Sequence, residues 1–356
     1  PILVLVRNKM FDWGILPSES FDVPVISVGN LISGGSGKTP HVEYLVRMLH
    51  KRYHIAVLSR GYKRKTSGFH VARTDSPVRE VGDEPLQMKQ KIPDITVAVH
   101  ERRSKGIKAL LKQFPETNLI LLDDAFQHRY VKPGLNLLLT DYYTPFFRNF
   151  LLPAGTLRER KSGSKRADAL IVSKTPSVFS PLDRRFYLQK LCRFRLKKIL
   201  FSSLRYKDFT PLTKAAAAAK QGKAKTIFLF TGIANTSSIE EHLKTYCQEL
   251  IVRKFPDHHQ FRLSDLTKLK DRFNESMSRS KMIVVTEKDA MRLQQPKLIS
   301  QLDKLPVYCL PVEVFFHRPD KEHFEALVND FLLQYPEPGQ PPQAKARHSA
   351  NDTPVA

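Results

Sequence analysis

Cysteine is scarce in this chain: Cys192, Cys247 and Cys309 are the only three in 356 residues. They lie far apart, with no Cys-x-x-Cys pair and no His/Cys cluster around them. That excludes a disulfide framework and a zinc site, and it predicts buried free thiols in a reducing compartment. No run of 18 apolar residues occurs, so no complete transmembrane helix is written in the sequence. No internal repeat is visible. Acidic residues are also short: 35 face 58 Lys and Arg, a formal net charge of +23. Such an excess is either a solvated basic surface or the footprint of an anionic partner, whether nucleic acid, an anionic membrane or a phosphorylated substrate. No helix-turn-helix, zinc finger or RNP-like aromatic pattern is present, which argues against nucleic acid.

What is there reads as a globular chain, 41% hydrophobic and long enough for two domains. Residues 1–20 open with an apolar stretch, Ile2 to Val6, followed by Arg7, Lys9, Phe11 and Trp13. This is either the end of an interfacial anchor helix or an ordinary packed terminus. Short apolar strands are expected at Val23–Val28, Ile55–Ser59, Ile95–Val99, Leu119–Leu122, Leu135–Thr140 and Ala169–Ser173, with helical patterns between several of them. Strands alternating with helices predict an α/β fold with a mostly parallel sheet flanked by helices, here over residues 21–198. A Pro-containing, basic stretch then leads to a second, smaller α/β lobe over 199–333. Strands are expected there at Ile227–Phe230 and Met282–Thr286, a long one at Val307–Phe316, and a closing helix at His323–Leu333. Lys214–Lys225 is Ala/Lys-rich and reads as a surface helix or loop. Residues 334–356 are Pro-rich and polar without periodicity, the composition of a disordered tail.

The strongest local signal is Gly34-Gly35-Ser36-Gly37-Lys38-Thr39-Pro40, between a strand and a helix with apolar positions Val42, Leu45, Val46 and Leu49. Glycines let the backbone turn its N–H groups toward phosphate oxygens, and the helix presents its positive end to the same anion. Lys38 is expected on the β- and γ-phosphates of ATP, and the Thr39 hydroxyl on Mg2+. Pro40 suits an early helical position. The pattern departs from the strict motif at Ile32, where a glycine is usual. A phosphate loop needs a second strand ending in an acid for the metal, and Leu119-Ile120-Leu121-Leu122-Asp123-Asp124 has that form. The chain therefore reads as a P-loop NTPase core.

Other constellations are less specific. Gly82-Asp83-Glu84-Pro85 places two acids before a helix, either as favourable charges at its N-terminus or as a general base for a hydroxyl. Asp257-His258-His259 reads as a catalytic dyad or a turn, and least well as a metal site. Gln127, His128 and Arg129 directly follow Asp124 and would overlook the nucleotide. Arg64-Lys65 and Arg158-Glu159-Arg160-Lys161 either grip phosphates or form solvated faces.

Taken in order, these segments resemble the tetraacyldisaccharide 4'-kinase (lipid A 4'-kinase) family. The resemblance rests on Ser27-Val28-Gly29-Asn30 leading into the Gly-rich loop, Leu58-Ser59-Arg60-Gly61-Tyr62, Gly82-Asp83-Glu84-Pro85, and Asp123-Asp124 through Arg129. It continues through Leu151-Leu152-Pro153-Ala154-Gly155 with Leu157-Arg158-Glu159, Gly232-Ile233-Ala234-Asn235, Phe255-Pro256-Asp257-His258 and Thr286-Glu287-Lys288-Asp289-Ala290. It implies Mg-ATP-dependent phosphorylation of the 4'-hydroxyl of a tetraacylated glucosamine disaccharide 1-phosphate, giving lipid IVA. It places this work at the cytoplasmic face of a Gram-negative inner membrane, with an anionic glycolipid as partner and no obligatory protein partner evident. Carried over by motif, Gly34, Gly35, Ser36, Gly37, Lys38, Thr39, Gln127 and His128 bind nucleotide. Thr39, Asp123, Asp124 and Glu159 are the metal candidates. Asp83 is the base, assisted by His258, with Lys38 also catalytic, and Glu84 and Arg102 stand nearby. The sequence departs from the family where Thr156 and Arg160 replace usual prolines and Lys63 a usual glycine. A soluble switch ATPase is the rival reading, but such loops often carry Lys before the Gly pair, where Ser33 stands.

Overall fold

The computed structural model describes residues 2–219, 224–233, 236–257 and 259–336. The expected tail beyond 336 and His258 lie outside the described residues. Among the described residues fourteen strands are formed: β1 (Val25–Asn30), β2 (Ile55–Ser59), β3 (His70–Val71), β4 (Thr96–Val99), β5 (Leu119–Asp123), β6 (Leu135–Asp141), β7 (Ala169–Ser173), β8 (Ile199–Tyr206), β9 (Thr210–Pro211), β10 (Thr226–Thr231), β11 (Glu249–Lys254), β12 (Lys281–Thr286), β13 (Val307–Leu310) and β14 (Val312–Phe316). They make a nine-stranded sheet in the order β14-β8-β7-β6-β1-β5-β2-β4-β3 and a five-stranded sheet in the order β11-β10-β12-β13-β9. Both sheets are parallel apart from edge strands: β3 and β14 run antiparallel in the first, and β9 in the second. Helices cover both faces of a parallel sheet, so central strands are buried on both sides and read as unbroken apolar runs. β1, β2 and β5 are buried at every position.

The large sheet positions the site. β1 lies between β5 and β6, and the chain builds outward from it in both directions. In open α/β sheets such a reversal leaves a crevice beyond the carboxyl ends of the strands. The Gly-rich loop follows β1, and Asp123 ends β5 in register with Val28 of β1. Two segments distant in sequence are thus side by side because their strands are parallel neighbours.

Three expectations are corrected. Val307–Phe316 is not one strand. It breaks at Pro311, with β13 in the small sheet and β14 paired to β8 in the large one. A cut after residue 198 also misassigns strands, because β8 pairs with β7 and β14 with β8, both in the large sheet. The closing helix Asp320–Leu332 likewise packs on β8. The chain leaves the large sheet after β8, builds the small sheet, and returns. Finally, the three thiols are free but not buried: Cys192 is exposed, and Cys247 and Cys309 are half-buried.

The N-terminal residues form a helix, Ile2–Asp12. Its buried Phe11 meets Tyr130 edge-on at 4.9 Å, while Leu3 and Val6, and Trp13 just beyond it, are exposed. No helix among the described residues is long and apolar enough to cross a membrane.

Candidate active site

The loop after β1 turns on two glycines with positive φ, Gly34 at 127° and Gly37 at 79°, conformations that L side chains rarely adopt. Gly29 is needed for a different reason. A Cβ there would lie 2.6 Å from Cβ of Phe126 and 2.7 Å from its backbone nitrogen. The departure at Ile32 has a structural cause. Ile32 is buried and forms an antiparallel bridge with Leu157, flanked by bonds from Ser33 N to Thr156 O (2.7 Å) and from Arg158 N to Leu31 O (2.8 Å). The position carries core packing and strand-like pairing, which suit a β-branched residue. The same pairing brings Arg158 to the site.

Lys38 and Thr39 begin the helix Lys38–Leu49. The Thr39 hydroxyl donates to Oδ2 of Asp123 at 3.2 Å, and Lys38 Nζ lies 3.6 Å from Oδ1 of Asp124. Arg158 donates to both oxygens of Asp124, at 2.9 and 3.1 Å. Burial, with Glu84 and Asp124 adding, pushes the Asp123 carboxyl up to about 7. Asp123 is 3% exposed, and its Oδ1 is buried without a hydrogen-bond partner. Burial works the same way on Asp124, but Lys38 and Arg158 outweigh it and hold that carboxyl below its usual range. Beneath Asp123, Arg103 donates to its backbone carbonyl at 3.1 Å, and burial lowers the guanidinium to about 10. The adjacent Arg102 is exposed, so the buried partner is its neighbour. His128 is pushed down to about 3, by burial first and Arg103 next, which leaves a neutral imidazole.

A raised carboxyl means that the folded state holds a proton the unfolded state has lost. Between the ordinary value of 3.8 and about 7, the Asp123 contribution to stability therefore falls as pH rises. Asp123→Asn, which cannot ionise, should gain thermal stability relative to wild type across that window. A difference in unfolding midpoint that stays flat from acid to neutral pH would contradict this.

Asp83 is the first residue of the helix Asp83–Lys91, but its side chain does not cap it. Oδ2 accepts from Arg292 Nε at 3.1 Å and Nη2 at 2.6 Å, and Oδ1 accepts from Glu84 N at 3.1 Å. Arg292 belongs to the helix Glu287–Leu293 beside the small sheet and is fully buried. It also donates to Gly232 O at 3.1 Å and to Oδ1 of Asp289 at 3.0 Å. Glu84 pairs with Lys288, and Gln87 and Lys91 both reach Glu287. Burial pulls the Lys288 ammonium down, but Glu84, Asp83 and Asp257 together raise it above its usual value. The segments Gly82–Pro85 and Thr286–Ala290 are thus two halves of one charged seam between the sheets.

Other expected residues find different employment. Glu159 is buried, with its oxygens taken by Arg166 (2.8 and 2.9 Å), Asn8 (2.8 Å) and Gln127 (3.1 Å). It ties the N-terminal helix to the 157–166 loop rather than offering a vacant carboxylate to a cation. Gln127 also donates to Asn30 O at 2.7 Å. Of the basic clusters, Arg64 pairs with Glu101 and Lys161 bonds Phe147 O at 2.7 Å, whereas Arg158 alone is bound to a site acid. His259 pairs with Asp265 at 2.9 Å. Lys63 stands at φ 59°, which explains why a glycine suits that position. Sequence reasoning missed Arg103 and Arg292. Their only signal was position: Arg103 adjoins Arg102, and Arg292 lies two residues beyond the Thr286–Ala290 segment.

The model of the tetraacyldisaccharide-1-P 4'-kinase family (LpxK) matches residues 2–332. A tetraacyldisaccharide 4'-kinase of Phocaeicola vulgatus is 45% identical over 334 residues, covering 92% of this chain and 91% of the relative. One from Bacteroides fragilis is 41% identical, covering 98% and 94%. Among solved structures, LpxK from Aquifex aeolicus in complex with ATP superposes with a TM-score of 0.66 at 27% identity, covering 93% of this chain and 95% of that one. With a phosphate loop after β1, paired acids at the end of β5 and a match along nearly its whole described length, this chain belongs to the tetraacyldisaccharide 4'-kinase family of lipid A biosynthesis.

Proposed function

We propose that this chain moves the γ-phosphate of ATP to the 4'-hydroxyl of a tetraacylated glucosamine disaccharide 1-phosphate, with Asp83 as the base. The observation that carries the reading is the convergence of Lys38, Thr39, Asp123 and Asp124 at the ends of two neighbouring parallel strands. Phosphoryl transfer asks for positioning and charge neutralisation rather than covalent help. Lys38 and the N–H groups of the Gly-rich loop hold the polyphosphate. Arg158, beside Asp124, adds positive charge. Asp83 aligns the sugar hydroxyl and takes its proton as the new P–O bond forms and the bond to ADP breaks.

The donors fit Mg2+. Asp123 offers a buried, unpartnered Oδ1 and Thr39 a hydroxyl, with Asp124 alongside. Mg2+ typically takes one or two carboxylates and completes its shell with water and phosphate oxygens. Bound there, it would neutralise charge on the β- and γ-phosphates. Among the described residues no cluster of three His, Cys, Asp or Glu forms a self-sufficient metal cage, in keeping with a cation shared with nucleotide.

Work at the cytoplasmic face of an inner membrane is part of the same proposal. Leu3, Val6 and Trp13 are exposed on or next to the N-terminal helix. Beside it lies a 360 Å3 cavity lined by Lys9, Arg129, Arg160, Lys165 and Arg166 against the acids Asp12 and Glu159, which pair with Arg129 and Arg166; the remaining positive excess suits an anionic head group. The two-sheet arrangement fits a nucleotide lobe facing an acceptor lobe across the Asp83–Arg292 seam.

The deciding experiment supplies ATP labelled at the γ-phosphate, Mg2+ and tetraacyldisaccharide 1-phosphate in detergent. A labelled bis-phosphorylated glycolipid is expected. ATP hydrolysis indifferent to the lipid, with no such product, would favour a switch ATPase instead. Lys38→Ala should cut product formation by about a hundredfold or more, the scale of losing one charge stabiliser. Full activity in that variant would remove the phosphate loop from the mechanism.

A further inference from the structure

The phosphate loop is gripped from behind, at three successive carbonyls. The Lys174 ammonium donates to Gly35 O, the Ser173 hydroxyl to Ser36 O at 2.8 Å, and Nδ1 of His41 lies 2.7 Å from Gly37 O. Each gripping group is itself anchored. Ser173 is fully buried at the end of β7 and also reaches Thr140 O at 3.2 Å. Lys174 is paired at 2.8 Å with Asp141 of β6, whose other oxygen accepts from Tyr143 N and Thr144 N. His41 is bonded through Nε2 to Ser202 of β8 at 2.9 Å. A carbonyl only accepts, so Nδ1 of His41 carries the proton and Nε2 accepts from the serine.

In a trans peptide the C=O and the following N–H point in opposite directions. A carbonyl pinned toward β7 or the helix therefore turns its N–H to the other side, where a phosphate loop receives its anion. Of the three N–H groups concerned, Ser36 N is engaged by Gly34 O at 3.1 Å, which leaves those of Gly37 and Lys38 for a ligand.

We propose that Ser173, Lys174 and His41 are positioning residues for the nucleotide: Lys174 fixes the Gly34–Ser36 turn through Gly35 O, and Ser173 and His41 hold the Ser36 and Gly37 carbonyls, so that the Gly37 and Lys38 N–H groups are aimed before the polyphosphate arrives. This rests on the reading of the loop as an ATP site. It assigns a role to the end of β7 and to Ser202 of β8, strands that supply no group to the reaction itself. A loop so rich in glycine would otherwise lose conformational entropy on binding, at a cost in affinity.

The test uses the full chain, a non-hydrolysable ATP analogue with Mg2+, and calorimetry without lipid, followed by steady-state kinetics. Lys174→Met and Ser173→Ala should each weaken analogue binding about tenfold, the scale of one lost hydrogen bond to a pre-set backbone group. KM for ATP should rise in parallel, while KM for the glycolipid stays within about twofold. Lys174→Arg should recover most of the loss. Binding within about twofold of wild type in folded Lys174→Met and Ser173→Ala overturns the proposal. If Ser173→Ala does not fold, Lys174→Met, on a partly exposed side chain, decides alone. A wild-type chain that fails to bind the analogue would instead overturn the ATP-site reading beneath it.

Discussion

Asp83→Asn is expected to lower turnover by about 10^2- to 10^4-fold, the range contributed by a positioned base. Asparagine preserves the shape of the side chain and an acceptor for Arg292, but it cannot take a proton from a sugar hydroxyl. Binding of a non-hydrolysable ATP analogue should survive, because Asp83 is held in the seam by Arg292 and Glu84 N, and the phosphates are assigned to Lys38 and the Gly-rich loop. The competing account makes Asp83 only a favourable charge at a helix N-terminus, worth about 0.3–1 kcal/mol of stability and nothing to catalysis. The geometry already weighs against it, since only Oδ1 meets an N–H of its own helix, that of Glu84, while Oδ2 takes a two-pronged bond from Arg292 of the opposite helix. Near wild-type turnover in a folded Asp83→Asn protein would defeat the base assignment. Asp83→Ala should be at least as damaging and should also disturb the seam.

The second large effect concerns stability. Arg292→Met should destabilise the fold by about 3–5 kcal/mol, the usual penalty for removing one partner from a buried ion network. Arg292 is fully buried between Asp83 and Asp289, and Asp289 is equally buried. Methionine fills much of the volume but leaves two carboxylates and the Gly232 carbonyl without their shared donor. Asp289 keeps its bonds from Thr231, Thr286 and Gly232 N, so the loss falls mainly on Asp83, which is left with Glu84 N and the nearby Lys288 charge. Turnover should fall with stability, because the base loses the fork that orients it. Arg292→Lys should lie between, restoring a charge without the planar pair of donors. Denaturant unfolding beside single-turnover phosphorylation separates the two effects. A variant within about 1 kcal/mol of wild type and with intact turnover would show the seam to be incidental.

Much of this was legible in the order of the residues. The phosphate loop, the strand ending in Asp123 and the α/β class are local patterns: glycine geometry, apolar runs and their periods are set by neighbours in sequence. So was the family, because its motifs recur in order. The break at Pro311 was legible too but was missed. A proline inside an expected ten-residue strand should have divided it, since a central strand needs every N–H.

Pairing across distance, in contrast, came from the folded sheets. Nothing near residue 83 in sequence announces Arg292, and nothing near the loop announces Ser173, Lys174 or Ser202. Those contacts exist because β7 and β8 are placed beside β6 and β1, and because the chain leaves the large sheet and returns. The same holds for Glu159, whose motif suggests a cation site, while the packing of the N-terminal helix and Arg166 around it makes it a structural tie. The order of residues fixes the chemistry available and the elements that carry it. Which charges face one another, and which are stripped of water, depended on the folded sheet, because a charged group's energy is set by neighbours in space and by burial, not by neighbours along the chain.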